Sequence, residues 1–430
     1  MRHFILTLIC AVTATMVSAQ NFSEHFANRT LRIDYIFAGN ADSQIVALDE
    51  LASSEGWAGR RVNLDKVPVR GNGEVKMIDS QSGKIIYRTT FSSLFQEWLV
   101  TEEATQVTKS FEASFLVPFP KQEAFVEITL LSNEGKKQTS LRHKIDPQDK
   151  LIRNMDSRPV APHEYLLKSG TAEECIDIAI VAEGYTSEEM DIFMRDARTA
   201  CEEIFRYEPF ASHKQQFNVV AVKLASKQSD VSVPQEDVWR QTALNSNFHT
   251  FYSPRYLTTN SVHLIHDSLA GVDYEHLIIL ANTDTYGGGG IYNSYTLTTA
   301  HNPQFKPVVV HEFGHSFGAL ADEYFYEQAD HTENTYKLGY EPWEQNITTL
   351  VDFESKWKDM LDKRTKIPTE PTDKRKENYT VGVYEGGGYM TKGMYRPAVV
   401  CRMRDNVATQ FCPVCQRAIE RIILYNTEQE

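Results

Sequence analysis

Several features are scarce in this chain, and each scarcity excludes something. Beyond the first nineteen residues, no apolar run approaches the roughly 20 residues that span a membrane, so no span is expected in the remainder. Positive charge is in deficit, with 44 Lys and Arg against 58 Asp and Glu and a net charge of −14. No basic block stands out, which argues against a partner that is nucleic acid. No repeat period and no low-complexity tract is present. Cysteine is sparse, six residues in 430, of which Cys175, Cys201, Cys401, Cys412 and Cys415 lie beyond the N-terminal segment. That odd number leaves at least one thiol unpaired within the chain even where disulfides are permitted.

What is present has globular proportions: 41% hydrophobic and 24% charged residues in a length that suits two or three domains. The opening MRHFILTLICAVTATMVSAQ has a basic start, an apolar stretch from Phe4 to about Val12 and small residues at Val17-Ser18-Ala19. This is the layout of a cleavable export signal over 1–19, with a secreted, periplasmic or cell-surface product beginning at Gln20. The apolar core is too short for an anchor, and Thr7-Leu8-Ile9 lacks the small residues that precede a lipidated cysteine at Cys10.

Residues 20–145 read as β structure. In TLRIDYIF, Leu31, Ile33, Tyr35 and Phe37 alternate mostly with polar residues, and EVKMID, KIIYRTTF, FEASFLV and AFVEITLL follow at short spacing. A β-sandwich is expected. Residues 146–170, rich in proline and charge, read as a linker. From 171 to 430 the pattern changes to strands alternating with helices: an apolar strand from Ile176 to Ala182, a helix opened by the capping box Thr186-Ser187-Glu188-Glu189 and running to about Tyr207, then strands FNVVAV (217–222) and HLIILAN (276–282). GGGGIYNSYTL (287–297) reads as a glycine hinge before an exposed strand, Ile291 to Leu297, and 368–378 as a polar surface loop.

The chemistry concentrates in HEFGHSFGALADEY, 311–324. On a helix, His311 and His315 project about 40° apart and one turn, roughly 5.4 Å, along the axis, so both imidazoles reach one metal ion. Glu312 edges the same face, placed to take a proton from a water that zinc acidifies toward neutrality and to hand it to a leaving amine. The commonest extension of this pattern has a third histidine six residues past the second, but here that position is Ala321. A thermolysin-like arrangement would take a glutamate further on, Glu333, Glu341 or Glu344. Gly318, which permits a turn three residues after His315, favours a metzincin-like arrangement instead, and Asp322 and Glu323 follow as hard oxygen donors. Asp322 is the preferred third ligand, and Glu323 the runner-up.

With these residues in view, the chain resembles the bacterial IgA-peptidase family of zinc metallopeptidases, a metzincin-like group. The resemblance is carried by IDIAIVAEGYTSEEMDIFMRDA (176–197), GGGGIYNSY, HEFGHSFGALADEY and GGGYMTKGMYRPAVVCRMR (386–404), in the expected order across the second domain. It implies a β-sandwich leading a zincin/metzincin-like α/β catalytic domain, an α+β two-domain chain. It also implies zinc-dependent endopeptidase activity on a protein or peptide substrate, with His311, His315 and Asp322 as ligands and Glu312 as general base. Met403, in CRMRDN, looks like the methionine turn that lies beneath the zinc in such enzymes, and Tyr389 or Tyr395 is a candidate to point a phenol at the oxyanion. The strand before the helix is expected to pair with extended peptide. Cys412-Pro413-Val414-Cys415 has only Cys401 near it in sequence, too few for a structural zinc site. A disulfide from Cys401 to Cys412 or Cys415, clamping the methionine turn to a C-terminal helix over about 413–426, is the simplest expectation. Two rivals accompany this reading: a surface glycan- or protein-binding protein on a degenerate peptidase scaffold, and a thermolysin-like aminopeptidase.

Overall fold

The computed structural model describes residues 21–326, 336–371 and 378–428. The export-signal reading and Glu333 lie outside the described residues, as does most of the loop expected at 368–378.

After a single helical turn, α1 (Phe22–His25), the N-terminal region builds two four-stranded sheets. The first contains β1 (Phe26–Gly39), β2 (Gln44–Glu55), β5 (Lys109–Pro120) and β8 (Arg153–Asn154), in the order β5-β1-β2-β8. The second contains β3 (Gly73–Asp79), β4 (Ile85–Phe91), β6 (Ala124–Leu131) and β7 (Lys137–Ile145), in the order β4-β3-β6-β7. A short helix, α2 (Leu94–Trp98), follows β4 and is capped by the Ser93 side chain. The alternation in β1 acts as expected: Leu31, Ile33, Tyr35 and Phe37 are buried, paired against Val117, Phe115, Ala113 and Phe111 of β5. They share one core with Val75 and Met77 of β3 and Val126 and Ile128 of β6.

The second region is organised by a six-stranded sheet with order β13-β14-β12-β10-β11-β9. Its strands are β9 (His163–Leu167), β10 (Ile176–Glu183), β11 (Phe217–Val222), β12 (His276–Ala281), β13 (Gly288–Ile291) and β14 (Tyr295–Thr299). Neighbours among β11, β10, β12 and β14 run parallel, and the edges β9 and β13 are antiparallel. Thus the segment 146–170 contributes one strand, β8, to the first sheet and another, β9, to the edge of this one. The capping box at Thr186 and Glu189 forms and leads into α3 (Met190–Ile204). The remaining α-helices among the described residues are α4 (Val262–Ser268), α5 (Phe305–Ser316) and α6 (Pro413–Thr427), and β15 (Tyr384–Gly387) pairs with β16 (Met390–Arg396).

The apolar strands are buried on both faces, and alternate residues go to different cores. Ile178, Ile180, Ile278 and Leu280 pack with α3, α5 and α6, whereas Ala179, Val181, Leu277 and Ile279 join the core of the N-terminal sheets. That double covering is why β10 and β12 read as nearly continuous hydrophobic runs rather than as alternating ones. A partly buried ion pair also joins the regions: Arg32 of β1, paired with Asp34, reaches Asp267 of α4 at 2.7 Å.

One local expectation is corrected. Ile291 to Leu297 is not one exposed strand, because the chain reverses after β13, and β14 is buried along its whole length. The sheet edge is Gly288–Ile291, and its first residue is bridged by Arg255 and Tyr256, with the Gly288 amide donating to the Arg255 carbonyl at 3.3 Å.

Candidate functional site

α5 brings His311 and His315 to one point. Their Nε2 atoms are 3.1 Å apart, and the Asp322 Oδ1 lies 2.9 Å from the first and 3.3 Å from the second. Each imidazole is held from behind: His311 Nδ1 donates to the Arg402 carbonyl at 3.0 Å and His315 Nδ1 to the Leu320 carbonyl at 2.6 Å. With Nδ1 carrying the proton, each Nε2 presents a lone pair to the shared point. Asp322 Oδ1 accordingly has no hydrogen-bond donor, although it is buried. Three converging lone pairs repel one another unless a cation sits between them. Zinc with nitrogen and oxygen ligands at about 2.0–2.1 Å in a tetrahedron would set them about 3.3 Å apart, close to what is found. The local field favours positive charge at this point: burial alone would depress His315, yet the opposing Asp322 carboxylate raises its pKa.

The turn that delivers Asp322 differs in detail from expectation. Gly318 does not take the left-handed conformation; Ala319 does, with φ of +53°. Gly318 is needed for closeness instead, since an added Cβ would lie 2.7 Å from the Gly314 carbonyl and 3.0 Å from Ile419 of α6. Ala321, at the position of the missing histidine, is fixed by its backbone: its N–H donates to Asn346 Oδ1 and its carbonyl accepts from Asn346 Nδ2, both at 2.8 Å.

Glu312 is enclosed between helix and sheet edge. A Cβ on Gly288 would come within 3.0 Å of its Oε1, and one on Gly290 within 2.2 Å of its carbonyl, so β13 lies directly on α5. Burial pushes the Glu312 carboxyl up, against the histidines, which draw it down. Met403 is buried with its sulphur against Gly314, and its carbonyl accepts the Glu323 amide at 2.8 Å.

The two tyrosines part company. Tyr389, held at a φ of +68°, donates its phenol to Asp322 Oδ2, so that hydroxyl is committed to the carboxylate. Tyr395 lies within β16, paired through its backbone with Thr348 and packed on the helical core, away from the histidines. Glu341 and Glu344 are engaged elsewhere, the first with Thr349 and the Asp352 amide, the second with Tyr336. Glu323 faces away from the histidines, with its carboxylate beside Cys412 and Cys415.

Several neighbours carried no usable signal in the sequence. The Tyr324 ring is nearly parallel to His311, at 6.4 Å between centroids, and the exposed Arg255 reaches the hydroxyls of Tyr324 and Tyr326. Glu97, from the N-terminal region, accepts from Tyr256, and burial raises its pKa to about 7. Tyr324 closes the HEFGHSFGALADEY stretch and was within reach of a local reading. Arg255 and Glu97 arrive by tertiary folding alone.

Two imidazoles and a carboxylate converging beside a half-buried glutamate is the constellation of metal-dependent hydrolases. Comparison with protein families narrows the class to peptidases. Residues 165–379 and 372–423 match the family described as IgA Peptidase M64, and residues 21–142 match the Peptidase M64 N-terminus. The chain therefore belongs to the IgA peptidase M64 family, a family of metallopeptidase-type hydrolases, and the resemblance in its motifs is borne out. No curated protein matches it. No helix among the described residues is long and apolar enough to cross a membrane.

Proposed function

We propose that this protein is an exported zinc-dependent endopeptidase of metzincin type that cleaves extracellular proteins, immunoglobulin-like ones among the candidates, and that its two N-terminal sheets form a β-sandwich. The observation that carries the reading is the convergence of His311 Nε2, His315 Nε2 and the donor-free Asp322 Oδ1 on one point.

In this reading His311, His315 and Asp322 hold the metal. When bound, zinc supplies a Lewis acid and an acidified water at neutral pH. Glu312 is the general base: its carboxylate takes the proton of the attacking water and returns it to the leaving amine. Burial raises the carboxyl's proton affinity, which suits its taking of the proton. Arg402 and Leu320 fix the imidazoles through their carbonyls, and Tyr389 fixes Asp322 through its phenol. Tyr324, with Arg255 at its hydroxyl, is a better placed polar group for a developing oxyanion than Tyr395. The Arg255 charge also disfavours a free substrate ammonium beside the site, which supports internal cleavage over an aminopeptidase.

Zinc content and casein cleavage, compared for wild type and Asp322→Ala, test this. The variant is expected to lose the catalytic zinc and all cleavage. Full zinc occupancy with undiminished cleavage would sink the ligand assignment.

A further inference from the structure

Behind the histidine site lies a second group of donors. The Sγ atoms of Cys401, Cys412 and Cys415 and a carboxylate oxygen of Glu323 all fall within 4.8 Å of one another, and all four residues are buried. The expected disulfide is not formed, since these cysteines are free and Cys401 Sγ is 3.7 Å from Cys415 Sγ, against the roughly 2.05 Å of an S–S bond. We propose that Glu323, Cys401, Cys412 and Cys415 form a structural zinc site, separate from the histidine site and independent of the peptidase reading.

The distances fit that assignment. Zinc–thiolate bonds of about 2.3 Å in a tetrahedron set sulphurs about 3.8 Å apart, and a carboxylate oxygen at about 2.1 Å lies about 3.6 Å from each sulphur. The 3.7 Å between Cys401 and Cys415 and the 3.9 and 3.0 Å from Glu323 Oε1 to Cys412 and Cys415 bracket these values. A second observation points to a cation: Glu323 is wholly buried and its Oε2 has no hydrogen-bond partner. Leaving one oxygen of a buried ionisable carboxyl without a partner is costly, and thiols beside the other oxygen are weak compensation. The surroundings suit thiolates. Cys412 and Cys415 bracket the first turn of α6 in a C-x-x-C spacing, and the Cys412 amide donates to Cys401 Sγ at 3.3 Å. Asn346 Nδ2 donates to Glu323 Oε1 at 3.1 Å, fixing the carboxylate from outside. Each thiol that binds zinc releases its proton to solvent, leaving four anionic donors around one divalent ion.

The site would clamp three segments that also build the histidine site. Glu323 follows Asp322 directly, and its amide is bonded to Met403; Cys401 opens the turn whose Arg402 carbonyl holds His311. α6 supplies the remaining two sulphurs. In the sequence only three cysteines lie close together, one donor short of a structural zinc set. The fourth ligand comes from 78 positions upstream of Cys401, delivered by the same turn that delivers Asp322.

The test is zinc stoichiometry with thiol mapping on the full chain purified without reductant. Wild type is expected to carry two zinc ions, and His311→Ala/His315→Ala one. Cobalt substitution of that histidine variant should give intense thiolate-to-cobalt charge-transfer absorption, and Cys401, Cys412 and Cys415 should alkylate only after denaturation with a chelator. Cys412→Ser/Cys415→Ser should lose the charge-transfer band, and the histidine variant, which keeps all three cysteines, decides independently of that variant's folding. A metal-free histidine variant, or a Cys401–Cys415 or Cys401–Cys412 disulfide in the peptide map of wild type, would overturn the proposal. Failure of the peptidase reading would instead leave this one zinc ion in place without proteolysis.

Discussion

Gly314 is the point where the helix bearing both histidines rests on Met403, and Gly314→Ala probes that packing. The new Cβ would lie 2.6 Å from Met403 Sδ, 3.2 Å from a ring carbon of Phe411 and 3.4 Å from Met403 Cε. Ordinary contacts are about 3.5–4.0 Å, so the sulphur must retreat by about 1 Å. It has little room: Met403 and Phe411 are wholly buried, and the Met403 carbonyl is tied to the Glu323 amide. Overpacking of this kind costs about 1–3 kcal/mol, while alanine in place of glycine returns up to about 1 kcal/mol of helix propensity. The expected net loss is about 1 kcal/mol, or a fall of about 2–4 °C in melting temperature. A double-mutant cycle isolates the contact. In a Met403→Ala background, the same Gly314→Ala change meets a cavity instead of sulphur and should stabilise by about 1 kcal/mol, giving a coupling of about 2 kcal/mol. Thermal or denaturant unfolding of the four proteins reads it. Equal stabilisation by Gly314→Ala in both backgrounds would refute the placement of Met403 beneath the helix.

Two further changes test the surroundings. Tyr389→Phe removes the phenol that holds Asp322 Oδ2, and zinc affinity measured by chelator competition should weaken by about 10-fold or more while the fold persists; unchanged affinity would leave Tyr389 with no positioning role. Glu275 accepts the Asp177 amide at 3.3 Å in a shielded position, and burial, then the Asp177 charge, lifts its pKa from 4.5 to about 8. The folded state thus keeps a proton that the unfolded state gives up, so stability is full below pH 4.5 and drains away as pH rises toward 8. Glu275→Gln should therefore stabilise the protein at pH 8 by about 2 kcal/mol and change little at pH 4, the figure discounted from about 1.4 kcal/mol per pH unit for partial exposure. A pH-independent effect would contradict this.

Legibility in the sequence followed the range of the interactions. The strands with full alternation or continuous apolar runs were readable, because burial on one or both faces imposes those patterns. β2 and β7 were not: Ile45 and Leu48 of β2 are exposed, and β7 presents mostly polar side chains. The histidine pair was legible because one helical turn relates its members. Asp322 over Glu323 was legible only as a preference, since adjacent residues in an extended segment point in opposite directions and only the tertiary fold decides which way each faces. That same opposition sends Glu323 toward three cysteines, a grouping that no local spacing reveals.

The most direct test of the catalytic account is casein cleavage by wild type and Glu312→Gln at equal, measured zinc occupancy. The amide keeps the shape but cannot accept the proton, so the variant is expected to hold its zinc and lose at least about 100-fold in kcat. A fully zinc-loaded Glu312→Gln protein that cleaves at the wild-type rate would contradict it.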